Sequence, residues 1–312
     1  MKRAGLIKLV AIAGAAALVV VLGFTMTDYH QYQGGIVGYY VIAIVGLNIL
    51  TGYTGQISLG NGAFMAVGGY TTAILAGHHG VGELATIPIA ALVAGFVGLL
   101  FGVPALRLAG PYLALATFAI AVAVPSLAKR FDHFTGGSSG ITLPIHTGHY
   151  LYSASWICAG IGYLVAWLVL RGRVGRAFRA VRDSEVAAVS SGVNLALYKT
   201  LAFGISAAFA GVAGSLLAIG AGYTNPDTFP VTLSLWLLIG AVVGGLGSLW
   251  GVIFGALFIE FLPIYAQNVS KQAPAVIYGL LLIAIMLVMP TGIVGLARRV
   301  VAPLANRGAG EG

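Results

Sequence analysis

The chain has 312 residues, of which 59% are hydrophobic and only 8% are charged, and its formal net charge is +8. A soluble globular domain carries about 25% charged residues, so this composition excludes an ordinary soluble protein and predicts a polytopic membrane protein. The basic residues cluster at the ends of apolar runs, which is a topological signal and gives no support to nucleic-acid binding.

Ten apolar runs approach the length of about 20 residues that crosses a bilayer as a helix. The first run follows Lys2, Arg3 and Lys8 as in a signal peptide, but no convincing small-residue cleavage site precedes Asp28, so an uncleaved span is predicted. Glycines blur two of the boundaries, which gives a range of eight to ten spans, and we predict an all-α protein with ten. The predicted spans are 6–26, 34–50, 61–77, 86–106, 112–128, 153–170, 200–220, 231–247, 250–267 and 274–296.

The positive charges predict the orientation of these spans. With ten spans and a cytoplasmic N-terminus, all but Lys129, Arg130 and Lys271 of the 16 basic residues fall on the cytoplasmic side, as the positive-inside rule requires. We therefore expect both termini in the cytoplasm, residues 1–299 as one transmembrane domain and residues 300–312 as a cytoplasmic tail.

Between the second and third predicted spans lies the stretch "GYTGQISLGNGAF", residues 52–64. Glycine costs about 1 kcal/mol relative to alanine inside a helix, and irregular backbone at membrane depth survives only when it is buried in protein or lines a wet cavity. We expect broken backbone at the inner mouth of the protein, with Gln56, Ser58 and Asn61 as candidate pathway-lining residues. A second stretch, "GGLGSLWG" at 244–251, interrupts the run 231–267.

Three further polar residues lie within apolar runs. Asn48 and Thr117 are each expected to form a helix–helix hydrogen bond, and Thr117 is also kept as a pathway candidate. Glu260, in "GALFIEFLP", is ionisable and therefore a candidate for function. It could be an ion-coupling acid, a packing acid bonded to a neighbouring helix, or a residue near the outer interface.

The predicted outer loop, residues 129–152, is rich in glycine and contains His133, His146 and His149. No pair of these histidines has the spacing of helical metal ligands, and histidines in loops are mostly solvated. We predict no metal site and no cofactor.

The predicted inner loop, residues 171–199, reads "RGRVGRAFRAVRDSEVAAVSSGVNLALYK". Its composition predicts a helix over 175–190, with a second helix starting at mid-segment if Asp183 or Ser184 acts as an N-cap. Arginines recur every third residue from 173 to 182, which suits a helix lying on anionic lipid headgroups. The small residues Ala187 and Ala188 followed by Gly192 favour instead a helix that docks into a partner protein.

Several motifs together resemble the branched-chain amino acid permease family of ABC importers, and specifically its LivM type. The pattern Glu-x-Ala-Ala-x-x-x-Gly, residues 185–192, is similar to the loop by which such permeases engage their ATPases, although Val186 interrupts the contiguous Glu-Ala-Ala form. Further similar stretches are "GYTGQISLGNGAFMAVGGYTTAIL" (52–75), "LRLAGPYLALATFAIA" (106–121), "TGGSSGI" (135–141), "GGLGSLWGVIFGALFIEFLP" (244–263) and "MPTGIVGLARR" (289–299).

The resemblance implies a permease subunit of the bacterial inner membrane that imports branched-chain amino acids and has no enzymatic activity of its own. It implies a LivH-like second permease, two cytoplasmic ATPase subunits and a periplasmic binding protein as partners. The implied ATPase-docking residues are Arg176, Arg179, Arg182, Glu185, Ala187, Ala188 and Gly192.

The residues themselves agree on one point, because no G-x-x-x-x-G-K-[ST] phosphate-binding loop occurs in the sequence. Energy from ATP would therefore have to arrive through another chain. A related permease for urea, short amides or sugars remains an alternative, and an ion-coupled carrier with discontinuous helices is a further one.

Overall fold

The computed structural model of the chain describes residues 19, 21–106, 108, 110–267, 279, 280, 292 and 295. Most of these residues are helical, as the apolar runs predicted. The α-helices with defined bounds are α1 (Asp28–Leu47), α2 (Asn61–Ala73), α3 (Glu83–Ala105), α4 (Pro111–Arg130), α5 (Asp132–Thr135), α6 (Gly148–Arg171), α7 (Arg173–Asp183), α8 (Glu185–Ser190), α9 (Leu195–Ala221), α10 (Val231–Gly244) and α11 (Val252–Gln267).

Two of these helices continue in a π-helical conformation. Helix α1 runs on as Asn48–Tyr53 and helix α2 as Ile74–His78. π-Helical turns are rare and often mark functional sites, and the first of them overlaps the start of the glycine-rich stretch 52–64 that the sequence predicts to be broken.

Six helices are long and apolar enough to cross a membrane within the part of the chain that the structure describes. They are Asp28–Tyr53, Glu83–Ala105, Pro111–Arg130, Gly148–Arg171, Leu195–Ala221 and Pro226–Gly244, and Val252–Tyr265 is a shorter apolar helix. The helical, multi-pass architecture is thereby confirmed. Most of the predicted span 6–26, all but four residues of the span 274–296, and the tail 300–312 lie outside the described residues.

Helix α9 lies at the centre of the bundle and packs against α1, α2 and α3. Close crossing with α3 requires glycine at position 211, since a Cβ atom there would lie 2.5 Å from the Cβ of Ala94 and 2.6 Å from the carbonyl oxygen of Ala90. Small residues allow membrane helices to approach in this way. A buried hydroxyl chain adds polar contacts, because Thr72 on α2 lies 2.6 Å from Ser215 on α9 and accepts a hydrogen bond from Thr86 on α3.

The predicted outer loop has regular structure of its own. Strand β1 (Ile141–Thr142) pairs antiparallel with β2 (Tyr223–Thr224), a short ladder within an otherwise helical fold. The "TGGSSG" motif turns ahead of β1 through glycines 136, 137 and 140, all with positive φ. Through Lys129 and Asp227, an ion pair of 2.8 Å also joins the predicted outer loop to the connection between α9 and α10. The outer loop is therefore an ordered cap on this end of the bundle.

Candidate functional site

The two glycine-rich stretches meet in the structure, and we call the region formed by residues 48–60, Arg182 and residues 245–251 the inner junction. Asn48, the first residue of the π-helical turn, is fully buried. Its side-chain oxygen accepts a hydrogen bond from the Gly247 amide at 2.7 Å, and its side-chain nitrogen donates to the Ser248 carbonyl at 2.9 Å. The expected helix–helix bond of Asn48 is therefore a bond to the backbone of the second broken stretch.

Glycine is required where the two stretches touch. A Cβ atom on Gly52 would overlap both the side-chain oxygen of Asn48 and the backbone nitrogen of Gly247. The sequence places glycine at this point because the backbone of 245–251 passes directly over the end of the π-helical turn.

Residues 55–60 form an irregular segment in which burial alternates. Gln56 and Ser58 are buried, whereas Gly55 and Ile57 are exposed. The Gln56 side chain donates to the Thr54 hydroxyl at 3.0 Å, and the Ser58 hydroxyl accepts from the Gly60 amide at 3.2 Å. Within a single copy of the chain, these two candidate pathway residues point into the protein and stabilise the broken backbone.

Asn61 and Thr117 are also buried close to this segment. The Thr117 hydroxyl on α4 accepts a hydrogen bond from the Leu59 amide at 2.9 Å, so it binds the broken backbone and not another helix. The Asn61 side-chain oxygen accepts a bond of 3.5 Å from Ser206, and its side-chain nitrogen is buried without a hydrogen-bond partner among the described residues. The polar interior of the inner junction therefore continues to the N-terminus of α2.

Glu260 lies on α11, away from this cluster. Its carboxyl group is within electrostatic range of the hydroxyl groups of Tyr32, Tyr39 and Tyr40 on α1. Its side chain is partly buried. The structure thus separates Glu260 from the other four candidate pathway residues.

The inner loop folds as two helices, α7 and α8, which we call the docking element. They are separated at Ser184, whose hydroxyl accepts from the Ala187 amide at 3.3 Å, so the predicted N-cap is confirmed. Helix α7 is firmly packed: Phe178 is fully buried and meets Tyr198 of α9 edge-on, and Val181 is buried beside it. The docking element is therefore anchored on the bundle.

The arginines of α7 point in different directions. Arg176 is exposed. Arg179 donates to the Leu170 carbonyl at the end of α6 at 3.2 Å, and Arg182 donates to the Gly52 carbonyl at 3.3 Å. Two of the three predicted docking arginines therefore bind carbonyl groups of the bundle.

Helix α8 carries the most exposed apolar side chains of the docking element. Val186 is 79% exposed and Val189 is 54% exposed, whereas Ala188 is buried against the bundle. Glu185 forms an ion pair of 2.7 Å with Lys199 of α9, whose side chain is only 10% exposed. Thus Glu185, Ala188 and Lys199 attach α8 to the bundle, and the valines face away from it.

Gly192 ends α8 in a left-handed conformation with φ of 81°. Its amide donates to the Val189 carbonyl at 2.9 Å, and the Val193 amide donates to the Ala188 carbonyl at 3.0 Å. These two bonds form a Schellman motif, in which glycine is favoured at this position. Gly192 thus forms a sharp turn directly after α8.

The histidines of the outer loop do not converge. His146 pairs with the buried carboxylate of Glu83 at 2.6 Å and stacks on Tyr150, and His149 lies near Phe24. Among the described residues, no group of three His, Cys, Asp or Glu side chains could hold a metal ion.

Sequence reasoning missed Lys199 as the partner of Glu185, the exposed Val186 and Val189, and the binding of Asn48 to the second broken stretch. A signal existed for the valines, since Val186 interrupts the Glu-Ala-Ala pattern with a larger apolar residue. The pairing of Asn48 across about 200 residues leaves no local signal in the sequence.

Comparison with known proteins gives consistent matches along the chain. The family described as "Branched-chain amino acid transport system / permease component" matches residues 35–290. The high-affinity branched-chain amino acid transport system permease protein LivM of Escherichia coli K12 is 31% identical, over 83% of this chain and 68% of its own length. The corresponding LivH protein of Salmonella typhimurium is 28% identical, over 82% and 91%. BraD of Pseudomonas aeruginosa is 33% identical over 129 residues, 41% of either chain. No solved structure gave a significant match.

Proposed function

Because the chain belongs to the branched-chain amino acid transport permease family, we propose that it is a permease subunit of an ATP-driven importer for leucine, isoleucine and valine. It forms the translocation pathway together with a LivH-like second permease. The chain carries out no covalent chemistry and needs no cofactor. A periplasmic binding protein delivers the substrate, and two cytoplasmic ATPase subunits supply the energy.

The docking element is the observation that supports the ATP-driven mechanism. Its helix α8 presents the exposed Val186 and Val189 on a base that is fixed to the bundle by Glu185, Lys199 and the buried Ala188. A rigid, partly apolar helix suits insertion into a groove of a partner protein, and the sequence contains no phosphate-binding loop of its own. We assign Arg176, Glu185, Ala187 and Gly192 to the docking surface with the two valines.

We propose that the chain has ten spans with both termini in the cytoplasm of a bacterium, and that it resides in the inner membrane. Residues 1–299 then form the permease domain, and 300–312 form a cytoplasmic tail. Cysteine labelling tests this topology in a Cys158→Ser background. A membrane-impermeant maleimide should label Ser138→Cys from outside, and should label Ser190→Cys only after permeabilisation. The opposite pattern would reverse the orientation.

The proposed pathway lies along the inner junction, where Gln56, Ser58, Asn61 and Thr117 are buried in one copy of the chain. Glu260 on α11, near Tyr32, Tyr39 and Tyr40 of α1, is a fifth candidate. These side chains are polar in a largely apolar bundle. This supports a role for them in keeping the broken backbone open, so that the substrate can pass. Binding of the second permease beside this region would complete the pathway.

Reconstitution tests the proposed function directly. The chain, its partner permease, the ATPases and the binding protein are placed in proteoliposomes, and uptake is measured with leucine, urea and ribose. ATP-dependent uptake of leucine alone is the expected result. ATP-dependent uptake of urea or ribose would replace the substrate assignment. Uptake by this chain alone, driven by a proton or sodium gradient, would refute the ATP-driven mechanism.

A further inference from the structure

Arg182 occupies the point at which the docking element touches both broken stretches. Its guanidinium donates to the Gly52 carbonyl at 3.3 Å, and the same group binds the Asp183 carboxylate with two bonds of 3.0 and 2.9 Å. A Cβ atom on Gly247 would lie 3.5 Å from the Arg182 Nη1 atom. One side chain therefore reaches from α7 to residues 52 and 247.

The stem of Arg182 is also in contact with the broken backbone. A Cβ atom on Gly55 would lie 3.3 Å from the Cγ atom and 3.7 Å from the Cα atom of Arg182. Gly55 has φ of 73°, a conformation that L-residues rarely adopt. The absence of a side chain at Gly55 thus leaves room for the arginine stem.

The charge of Arg182 suits the group that it binds. Gly52 lies in the last turn of the π-helical continuation of α1, where carbonyl groups lack helical partners and the helix dipole is negative. A cation at this end is favourable, and arginine is suited to binding several acceptors at once because its donors are fixed in a plane. Arg182 therefore caps the inner end of α1 from the docking element.

The end of α1 that Arg182 binds is itself bonded to the second broken stretch. Four residues earlier, Asn48 binds the backbone of Gly247 and Ser248 through both ends of its amide. Displacement of α7 would act first on the end of α1 and then, through Asn48, on the stretch that joins α10 to α11. The attachments of Arg179 and Glu185 lead instead to the ends of α6 and α9.

We infer that Arg182 is a positioning residue that couples the docking element to the inner junction, and that it is not part of the surface that binds the ATPase. This inference rests on the proposed function. Its specific content is that Arg182 determines how much substrate moves for each ATP hydrolysed.

The test compares variants in the complete reconstituted importer. Arg182→Met keeps most of the apolar stem and removes the charge and the hydrogen-bond donors. Arg182→Lys keeps the charge but replaces the planar guanidinium with a compact ammonium group. Arg173→Met is the matched control, because Arg173 lies exposed on the first turn of the same helix. For each variant we would measure co-purification with the ATPases, ATP hydrolysis and the ratio of leucine imported to ATP hydrolysed.

For Arg182→Met we expect co-purification with the ATPases and a fall of tenfold or more in leucine imported per ATP. Arg182→Lys should recover part of that ratio, and Arg173→Met should keep the ratio of the unmodified protein. Loss of ATPase co-purification in Arg182→Met would make Arg182 a docking residue and overturn the inference. An unchanged ratio would overturn it as well.

The experiment also distinguishes failure of the proposed function from failure of the Arg182→Met variant to reach the membrane. If the unmodified complex shows no ATP-driven uptake, the proposed function fails before any variant is compared. If Arg182→Met is not recovered in the membrane, Arg182→Gln takes its place, and the same fall in the ratio is required. A ratio in Arg182→Gln equal to that of the unmodified protein would refute the coupling role.

Discussion

Gly192 gives the sharpest test of the docking element. The residue follows α8 with φ of 81°, and a Cβ atom built on it would meet nothing within 4 Å among the residues that the structure describes. Space is therefore available for a side chain, and only the backbone conformation disfavours one. A left-handed conformation costs an L-residue roughly 1–2 kcal/mol, which lowers the equilibrium constant for forming the native turn by about 5–30-fold.

The measurement is a titration of the permease in nanodiscs with the ATPase subunits, followed by uptake in proteoliposomes. Gly192→Ala should weaken ATPase binding by about 5–30-fold, since the strained turn must form before α8 can dock. Gly192→Asn should weaken it less, because asparagine tolerates the left-handed region, and Gly192→Val should weaken it most. Membrane insertion of all three variants should be normal.

Two results would refute this reasoning. Equal ATPase binding by Gly192→Ala and the unmodified chain would show that the turn does not control docking. Loss in Gly192→Asn as complete as in Gly192→Val would show that the partner protein excludes any side chain at this position, and that backbone strain is not the cause.

Three other substitutions test contacts described above. Asn48→Leu should lower the free energy of unfolding by about 1–3 kcal/mol, since the buried Ser248 carbonyl and the partly buried Gly247 amide lose their partner, and an unchanged melting curve in detergent would contradict this. Glu185→Ala and Lys199→Ala should be strongly non-additive in thermal unfolding of the permease alone, with a coupling energy of about 0.5–3 kcal/mol; additive effects would mean that the ion pair contributes nothing. His146→Ala should expose the outer loop to proteolysis, because the buried carboxylate of Glu83 loses its partner, and cleavage at the rate of the unmodified chain would argue against a structural role for that pair.

The positions of the helices could be predicted from the sequence with little error. The predicted span 86–106 corresponds to Glu83–Ala105, and 200–220 corresponds to Leu195–Ala221, because a bilayer-length apolar run has few alternatives to a helix. The N-cap at Ser184 was also predictable, since serine is favoured at that position.

The inner junction was only partly predictable. The glycines at 52 and 55 indicate broken backbone, yet nothing local reveals that the first avoids Asn48 and the second makes room for Arg182. The orientation of Arg182 could not be read from a basic helix, because its direction is decided by a carbonyl 130 residues away along the chain. Tertiary contacts of this kind cannot be predicted from the spacing and composition of residues in the sequence.

The binding of Asn48 also has a consequence for how the protein is made. Its two partners, Gly247 and Ser248, follow it by 199 and 200 residues. At 5–20 residues per second, synthesis of that interval takes about 10–40 s, during which a polar amide sits in the growing membrane protein without its final bonds. A chain that stops before residue 247 lacks both of these partners. The two hydrogen bonds of the Asn48 amide therefore distinguish a complete bundle from a truncated one, because they form only after residues 247 and 248 have joined the bundle.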